Sequence, residues 1–137
     1  MIERLNHVAI VVPDLQVARE RYRDALGAKV SEAQDYPEHG VRVVFIELAN
    51  TKIELMSPLG KDSPIQKFLD KNPKGGLHHL CLSVGDVTQA LQPITEEGLR
   101  VLGGDKAVKK GAHGHNVAFL HPQDFCGVLL ELEQGTY

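Results

Sequence analysis

The sequence repeats itself once. Laid over one another at an offset of 72, residues 5–18 (LNHVAIVVPDLQVA) and 77–90 (LHHLCLSVGDVTQA) match without a gap. Leu5 meets Leu77, His7 meets His79, Val12 meets Val84, Asp14 meets Asp86 and Ala18 meets Ala90. Later segments correspond too: Val43-Val44-Phe45 with Val117-Ala118-Phe119, and Ile53-Glu54-Leu55 with Leu130-Glu131-Leu132. The two glutamates stand 77 apart, so the second copy carries a net insertion of five residues. Two long copies in 137 residues describe a duplicated unit. A solenoid would show shorter and more numerous repeats.

Each copy reads as strand, helix, then further strands. Pro13-Asp14 ends a first strand over 4–12, and Asp14 caps a helix reaching about Leu26, with Leu15, Ala18, Tyr22, Ala25 and Leu26 along one apolar stripe. Gly27 stops that helix. Strands are expected at 29–33, 41–48 and 51–57, the last two joined by a tight turn at Ala49-Asn50. Ser63 reads as the cap of a short helix, with Pro64 at its first position and Gln66 placed for a capping box. Residues 71–76 read as a linker between a first unit of about 4–70 and a second of about 77–134. In the second unit the expected order is strand 77–84, helix 86–97, and strands near 99–103, 116–121 and 127–134. Pro93 removes a backbone donor, so a kink or early end is expected there. Neither copy has enough strands to close its own sheet. The expected fold is therefore α+β: one domain over 1–137, in which tandem βαβββ units form one curved, eight-stranded mixed sheet around a cleft, with helices outside.

Composition removes several classes of function. A formal net charge of −3 with no long block of like charge argues against nucleic acid as a partner. No apolar run approaches the roughly 18 residues of a membrane helix, and MIERLNHVAIVV lacks the apolar core and cleavage site of a secretory leader. Cys81 and Cys126 lie far apart without a CxxC spacing, which suits two thiols in a reducing compartment: the cytoplasm, or the mitochondrial matrix for a processed eukaryotic chain. Seven histidines are the unusual count.

Strand parity sorts those histidines, because side chains alternate between the two faces of a strand. His7 shares a face with Leu5, Ala9 and Val11; His79 shares one with Cys81 and Ser83. In the late strands, Glu54 points opposite to Ile53 and Leu55, and Glu131 opposite to Leu130 and Leu132. A carboxylate in a leucine-rich strand is costly to bury unless it is paired or bound to a cation. The duplicated set therefore suggests a His₂Glu₂ metal site formed by His7, Glu54, His79 and Glu131. His78 points away by parity.

His-x-Ala opening a duplicated βαβββ unit, with a glutamate in each last strand, resembles the vicinal oxygen chelate, or glyoxalase, superfamily. Within it NHVAIVVPDL, PEHGV, NTKIELMSPLGKDSPIQKFL, GGLHHLCLSV, GAHGHNVAFLHP and GVLLELEQ resemble the methylmalonyl-CoA epimerase family across essentially the whole chain. The resemblance implies that His7, His79 and Glu131 hold a divalent metal, with Glu54 at the fourth ligand position, where some members carry glutamine. Some epimerases place a glutamate base just after the PEHG-like motif, where this sequence has Val43. Glu131 is then the first candidate for moving the proton, and Glu47, further along on the same face as Val43 and near the hairpin, the weaker second. His39, His113 or bound water remain open for that second role.

The implied substrate is an acyl-CoA and the implied assembly a homodimer. Mixed imidazole and carboxylate ligands suit Co²⁺, Mn²⁺, Ni²⁺ or Zn²⁺ without choosing among them, and Co²⁺ is the ion favoured beside the resemblance. The rival readings are a glyoxalase I-like lyase, an Fe²⁺ dioxygenase, which Glu54 as fourth ligand argues against, and a metal-free binding module of the same fold. Elsewhere, the Gly111–His115 loop has the makings of an anion site. Lys106, Lys109 and Lys110 read first as a solvated loop and second as contacts for coenzyme A phosphates. Ile65, Phe68 and Leu69 read as core or dimer contact.

Overall fold

The computed structural model describes residues 1–135 and divides into two compact units. The first comprises His7–His78; the second comprises Met1–Asn6 together with His79 onward.

In the first unit, strand β1 (Ile2–Val11, from His7) runs parallel to β5 (Lys52–Pro58), and β5 forms a hairpin with β4 (Val41–Glu47). The hairpin closes where Leu48 N–H donates to Thr51 O (2.9 Å), at the Ala49-Asn50 turn expected from sequence. The far edge of β4 pairs with β2 (Lys29–Val30) and then with β3 (Gln34–Tyr36). The expected strand over 29–33 is thus cut short, because the Ser31 hydroxyl accepts the Phe45 N–H (2.8 Å) that a backbone carbonyl would otherwise take. Helix α1 (Leu15–Glu20) starts at Asp14, whose carboxylate accepts from Val17 N–H at 3.1 Å, and continues as a wider π-turn over Arg21–Ala25.

Strand alternation gives this sheet two dry faces. Leu15, Ala18 and Tyr22 pack on Ile10, Val44, Ile46, Ile53 and Leu55. The opposite face gathers Ala9, Val11, Val41, Val43 and Met56 against Ile65, Phe68 and Leu69. Phe68 and Leu69 belong to helix α2 (Gln66–Lys71). Ser63 stands just ahead of α2, whose N-cap is Ile65, and its hydroxyl accepts only a long bond from Ile65 N–H (3.4 Å). Its hydroxyl donates to Gly40 O (2.6 Å), tying the Pro37–Gly40 turn to the loop ahead of the helix. In the linker, Gly75 has φ +86° and packs so closely that a Cβ would lie 2.4 Å from Val11 O. Only glycine fits both the torsion and the contact.

In the second unit, β6 (Gly76–Val84, from His79) runs parallel to β9 (Leu130–Gln134), followed by antiparallel β8 (Asn116–Leu120) and β7 (Lys109–Lys110). The expected strand near 99–103 reduces to a single bridge between Val101 and Leu120. β9 starts at Leu130, because Phe125-Cys126-Gly127 turn the chain first, with Cys126 at φ +60°. Both cysteines are free thiols. Helix α3 (Val87–Glu96) is capped by Asp86, which accepts from Gln89 N–H at 3.0 Å, and runs past Pro93. It survives because Val87, Ala90, Leu91 and Ile94 pack on Leu82, Val84, Ala118, Leu120 and Leu132, while Pro93 and Gln89, whose carbonyl loses its donor, are exposed to solvent. Asn6 Nδ2 donates to the Ser83 hydroxyl at 3.1 Å, which is how the first residues of the chain join this unit. No helix among the described residues is long and apolar enough to cross a membrane.

Arg100 clamps the turn that precedes β9. Its guanidinium donates to both oxygens of Asp124 (2.9 and 3.0 Å) and its backbone N–H to Oδ2 (2.9 Å). These bonds, the side-chain one first, hold the Asp124 carboxyl down from 3.8 to about 2. A depressed folded-state pKa stabilises the fold above the unfolded value and ceases to do so as pH falls through the folded one. Asp124→Asn is expected to lower the unfolding temperature at pH 7 and to flatten its decline between pH 3.8 and about 2. A variant whose unfolding temperature falls in parallel with wild type would remove this clamp from the acid response.

Candidate functional site

In the first unit His7, Ala9 and Val11 share one face of β1. Glu54 of β5 lies beside Ala9 in the parallel ladder and directly across from Phe45 in the hairpin. His7 Nε2 comes to 3.6 Å from Glu54 Oε1, with the two side chains only 3% and 5% exposed. Tyr36 borders this pair: burial first, and then the negative charge of Glu54, push its phenol above the ordinary range. Lys52 Nζ sits 5.5 Å from the centre of the Phe45 ring.

The second unit repeats the placement of the histidine, the glutamate and the phenylalanine, while its lysine comes from a different strand, β7. Glu131 of β9 lies beside Cys81 and directly across from Phe119. His79 Nε2 is 3.3 Å from Glu131 Oε1, with side chains 6% and 12% exposed. Lys109 Nζ sits 5.5 Å from the centre of the Phe119 ring.

Both separations exceed the roughly 2.7–3.2 Å of an N–H···O hydrogen bond. They match two donor atoms each about 2.0–2.3 Å from a common ion, which stand about 2.8–3.8 Å apart at octahedral to tetrahedral angles. Neutral imidazole with carboxylate is also the donor chemistry of first-row divalent cations. Each pair fits half of a metal site.

The remaining sequence candidates are placed differently. Glu47 is exposed at the end of the β4–β5 hairpin, opposite Lys52 on one side and Lys29 on the other, two residues beyond Phe45. Val43 is 1% exposed and packed in the core with Met56 as its direct partner. His78 is half-buried with its ring edge-on to Phe68 (5.2 Å between centres), on the other side of the strand from His79. His39 is half-buried in the short turn Pro37–His39. The Gly111–His115 loop folds as a tight turn, with Gly111 N–H donating to His115 O at 2.8 Å. Lys106, Lys109 and Lys110 are exposed. Sequence reasoning missed Tyr36, Phe45 and Phe119 as neighbours of the carboxylates. The two phenylalanines were visible as aligned positions of the repeat, but their pairing opposite glutamate needed the hairpin register.

Residues 6–119 match the family described as the Glyoxalase/Bleomycin resistance protein/Dioxygenase superfamily. The chain belongs to this superfamily. Among its relatives, the ethylmalonyl-CoA/methylmalonyl-CoA epimerase of Cereibacter sphaeroides is 59% identical over 134 residues, covering 98% of this chain and 99% of that one. The crystal structure of methylmalonyl-CoA epimerase from Mycobacterium tuberculosis is 32% identical with a TM-score of 0.86, over 99% of this chain and 90% of that one. A methylmalonyl-CoA epimerase solved in complex with methylmalonyl-CoA and NH4+ is 32% identical with a TM-score of 0.84, over 97% and 94%. The superfamily fold expected from the duplicated βαβββ pattern, a mixed sheet with few helices, is the fold these structures share with the chain.

The opposite facing of the two neighbouring histidines yields a direct test. His79→Ala is expected to abolish Co²⁺ uptake measured by titration and metal analysis. His78→Ala is expected to keep uptake and to lower the unfolding temperature through its lost contact with Phe68. Loss of uptake in His78→Ala alone would place the ligand face on the other side of the strand.

Proposed function

We propose that this chain is a metal-dependent epimerase that interconverts the 2R and 2S forms of methylmalonyl-CoA. The observation that carries the reading is one buried His–Glu pair occurring in both units of a chain so similar to a curated epimerase of this substrate class. In this proposal His7, Glu54, His79 and Glu131 are the ligands of one divalent cation, Co²⁺ by preference, with Mn²⁺, Ni²⁺ or Zn²⁺ also compatible with the donors. When bound, the cation supplies Lewis-acid stabilisation of the negative charge that develops on the thioester oxygen.

The rest of the chemistry falls to side chains. The reacting carbon lies between a thioester carbonyl and a carboxylate, so its proton is acidic. Epimerisation removes that proton on one face and returns it on the other, which calls for two acid–base groups or one that moves. Glu131 takes the first role in this reading: it is the more exposed of the two paired carboxylates, 12% against 5%. Coordination depresses a carboxylate's basicity, so Glu131 acts as base only while released from the ion. Glu47 is the candidate for the second role. Two free thiols suit a cytoplasmic setting. Met1 and Ile2, 64% and 59% exposed, offer apolar surface that a homodimer would cover.

Two measurements test this reading. Exhaustive chelation is expected to abolish solvent-deuterium exchange into methylmalonyl-CoA, and added Co²⁺ to restore it; full exchange in verified metal-free protein would refute the Lewis-acid role. The hemithioacetal of glutathione, run alongside, is expected not to react, and turnover of it instead would favour the glyoxalase I-like reading. Glu131→Gln keeps a ligating oxygen but cannot accept the proton, so exchange is expected to fall by about 10²-fold or more with metal retained. Exchange at the wild-type rate would leave Glu131 a ligand only. Loss of exchange in Glu47→Gln with metal intact would support Glu47 as an acid–base group.

A further inference from the structure

We infer that Phe119 is a positioning residue for the His79–Glu131 pair; this rests on the metal reading above. Three contacts converge on its ring within the second unit. Across the antiparallel ladder Phe119 faces Glu131 directly, so the ring lies alongside the carboxylate. The imidazole of His79 meets the same ring nearly at right angles, with centres 5.6 Å apart and planes at 84°. Lys109 Nζ stands 5.5 Å from the ring centre, where an ammonium is attracted to an aromatic face.

The geometry gives the ring two tasks. An edge-to-face contact favours one rotation of the imidazole, and that rotation sets where Nε2 points. A half-buried apolar ring beside the carboxylate also occupies space that water would take, which keeps the His79–Glu131 interaction poorly screened. Phe45 occupies the matching place opposite Glu54 in the first unit, with Lys52 Nζ at the same 5.5 Å. Two independent halves of the chain thus put an aromatic ring with a lysine cap across from the buried carboxylate. A generic core position would be served as well by leucine; a ring that orients an imidazole would not.

The test is Co²⁺ titration of wild type, Phe119→Leu, Phe119→Met and Phe119→Tyr, read by affinity and by the visible d–d spectrum of bound Co²⁺. Unfolding temperatures of the metal-free proteins are measured in parallel. Phe119→Leu and Phe119→Met, which keep apolar volume but lose the ring, are expected to weaken Co²⁺ binding about 10–100-fold, the range for groups that orient metal ligands, and to shift the spectrum. Phe119→Tyr is expected to restore both. If either ring-less variant that folds binds Co²⁺ with wild-type affinity and spectrum while only its metal-free unfolding temperature falls, Phe119 is packing and the inference is overturned. Wild type that takes up no Co²⁺ overturns the metal reading and this inference together.

Discussion

A carboxylate buried on a strand between leucines is the constraint around which each unit is arranged. Removing an ionised carboxylate from water costs several kcal/mol even after relaxation, and a strand flanked by apolar residues does nothing to offset it. Glu54 and Glu131 are 4% and 9% exposed, and in each case a histidine nitrogen lies close by at more than ordinary hydrogen-bond length. An imidazole and a carboxylate so arranged make a poor private salt bridge and a good pair of ligands. The metal reading follows from that mismatch as much as from the kind of residue present.

The same constraint explains how the sheets are covered. With the histidine and glutamate on one face of each strand set, the middle of the other face carries apolar side chains, and α1 and α3 each cover one such face. Asp14 and Asp86 cap these helices at equivalent positions of the repeat, with carboxylate bonds of 3.1 and 3.0 Å. The helices hold the strands' dry face, and the strands fix the register that brings Glu54 beside Ala9 and Glu131 beside Cys81. Repeated caps, faces and registers therefore act together, so that His7 meets Glu54 and His79 meets Glu131.

Much of this was legible in the sequence because strand parity is a strict rule. Reading alternate residues was enough to put His7 with Ala9, His79 with Cys81, and each glutamate away from its leucines. Features governed by a single side chain were not legible. The strand expected over 29–33 breaks because one hydroxyl, that of Ser31, replaces a carbonyl in the ladder. Ser63 has the position of a helix cap, but its shorter bond runs to Gly40 across 23 residues (2.6 Å) and only a 3.4 Å one comes from the helix start. Pro93 reads as a kink or an early end, yet a helix already anchored by Val87, Ala90, Leu91 and Ile94 runs past it, tolerating one lost bond on its wet side. The short strands β3 and β7 carry no apolar alternation, and only their antiparallel partners β4 and β8 define them.

The departure at Val43 bears on how the proton is handled. Val43 is 1% exposed, faces Met56 directly, and packs with Ala9, Val11, Val41 and Ile65. On the β5 side its direct partner is Met56 and on the β3 side Gln34, so a carboxylate placed there would sit largely against hydrocarbon. Glu47, four residues further along the same strand face, is open to water. The two paired carboxylates differ in their surroundings. Glu54 is enclosed by Tyr36 as well as Phe45, and Tyr36 registers its charge. Glu131 has the more exposed side chain, with Phe119 across the ladder. A carboxylate proposed both to hold an ion and to let it go needs room to swing, and the larger side-chain exposure of Glu131, 12% against 5% for Glu54, is why the proposal gives it that role.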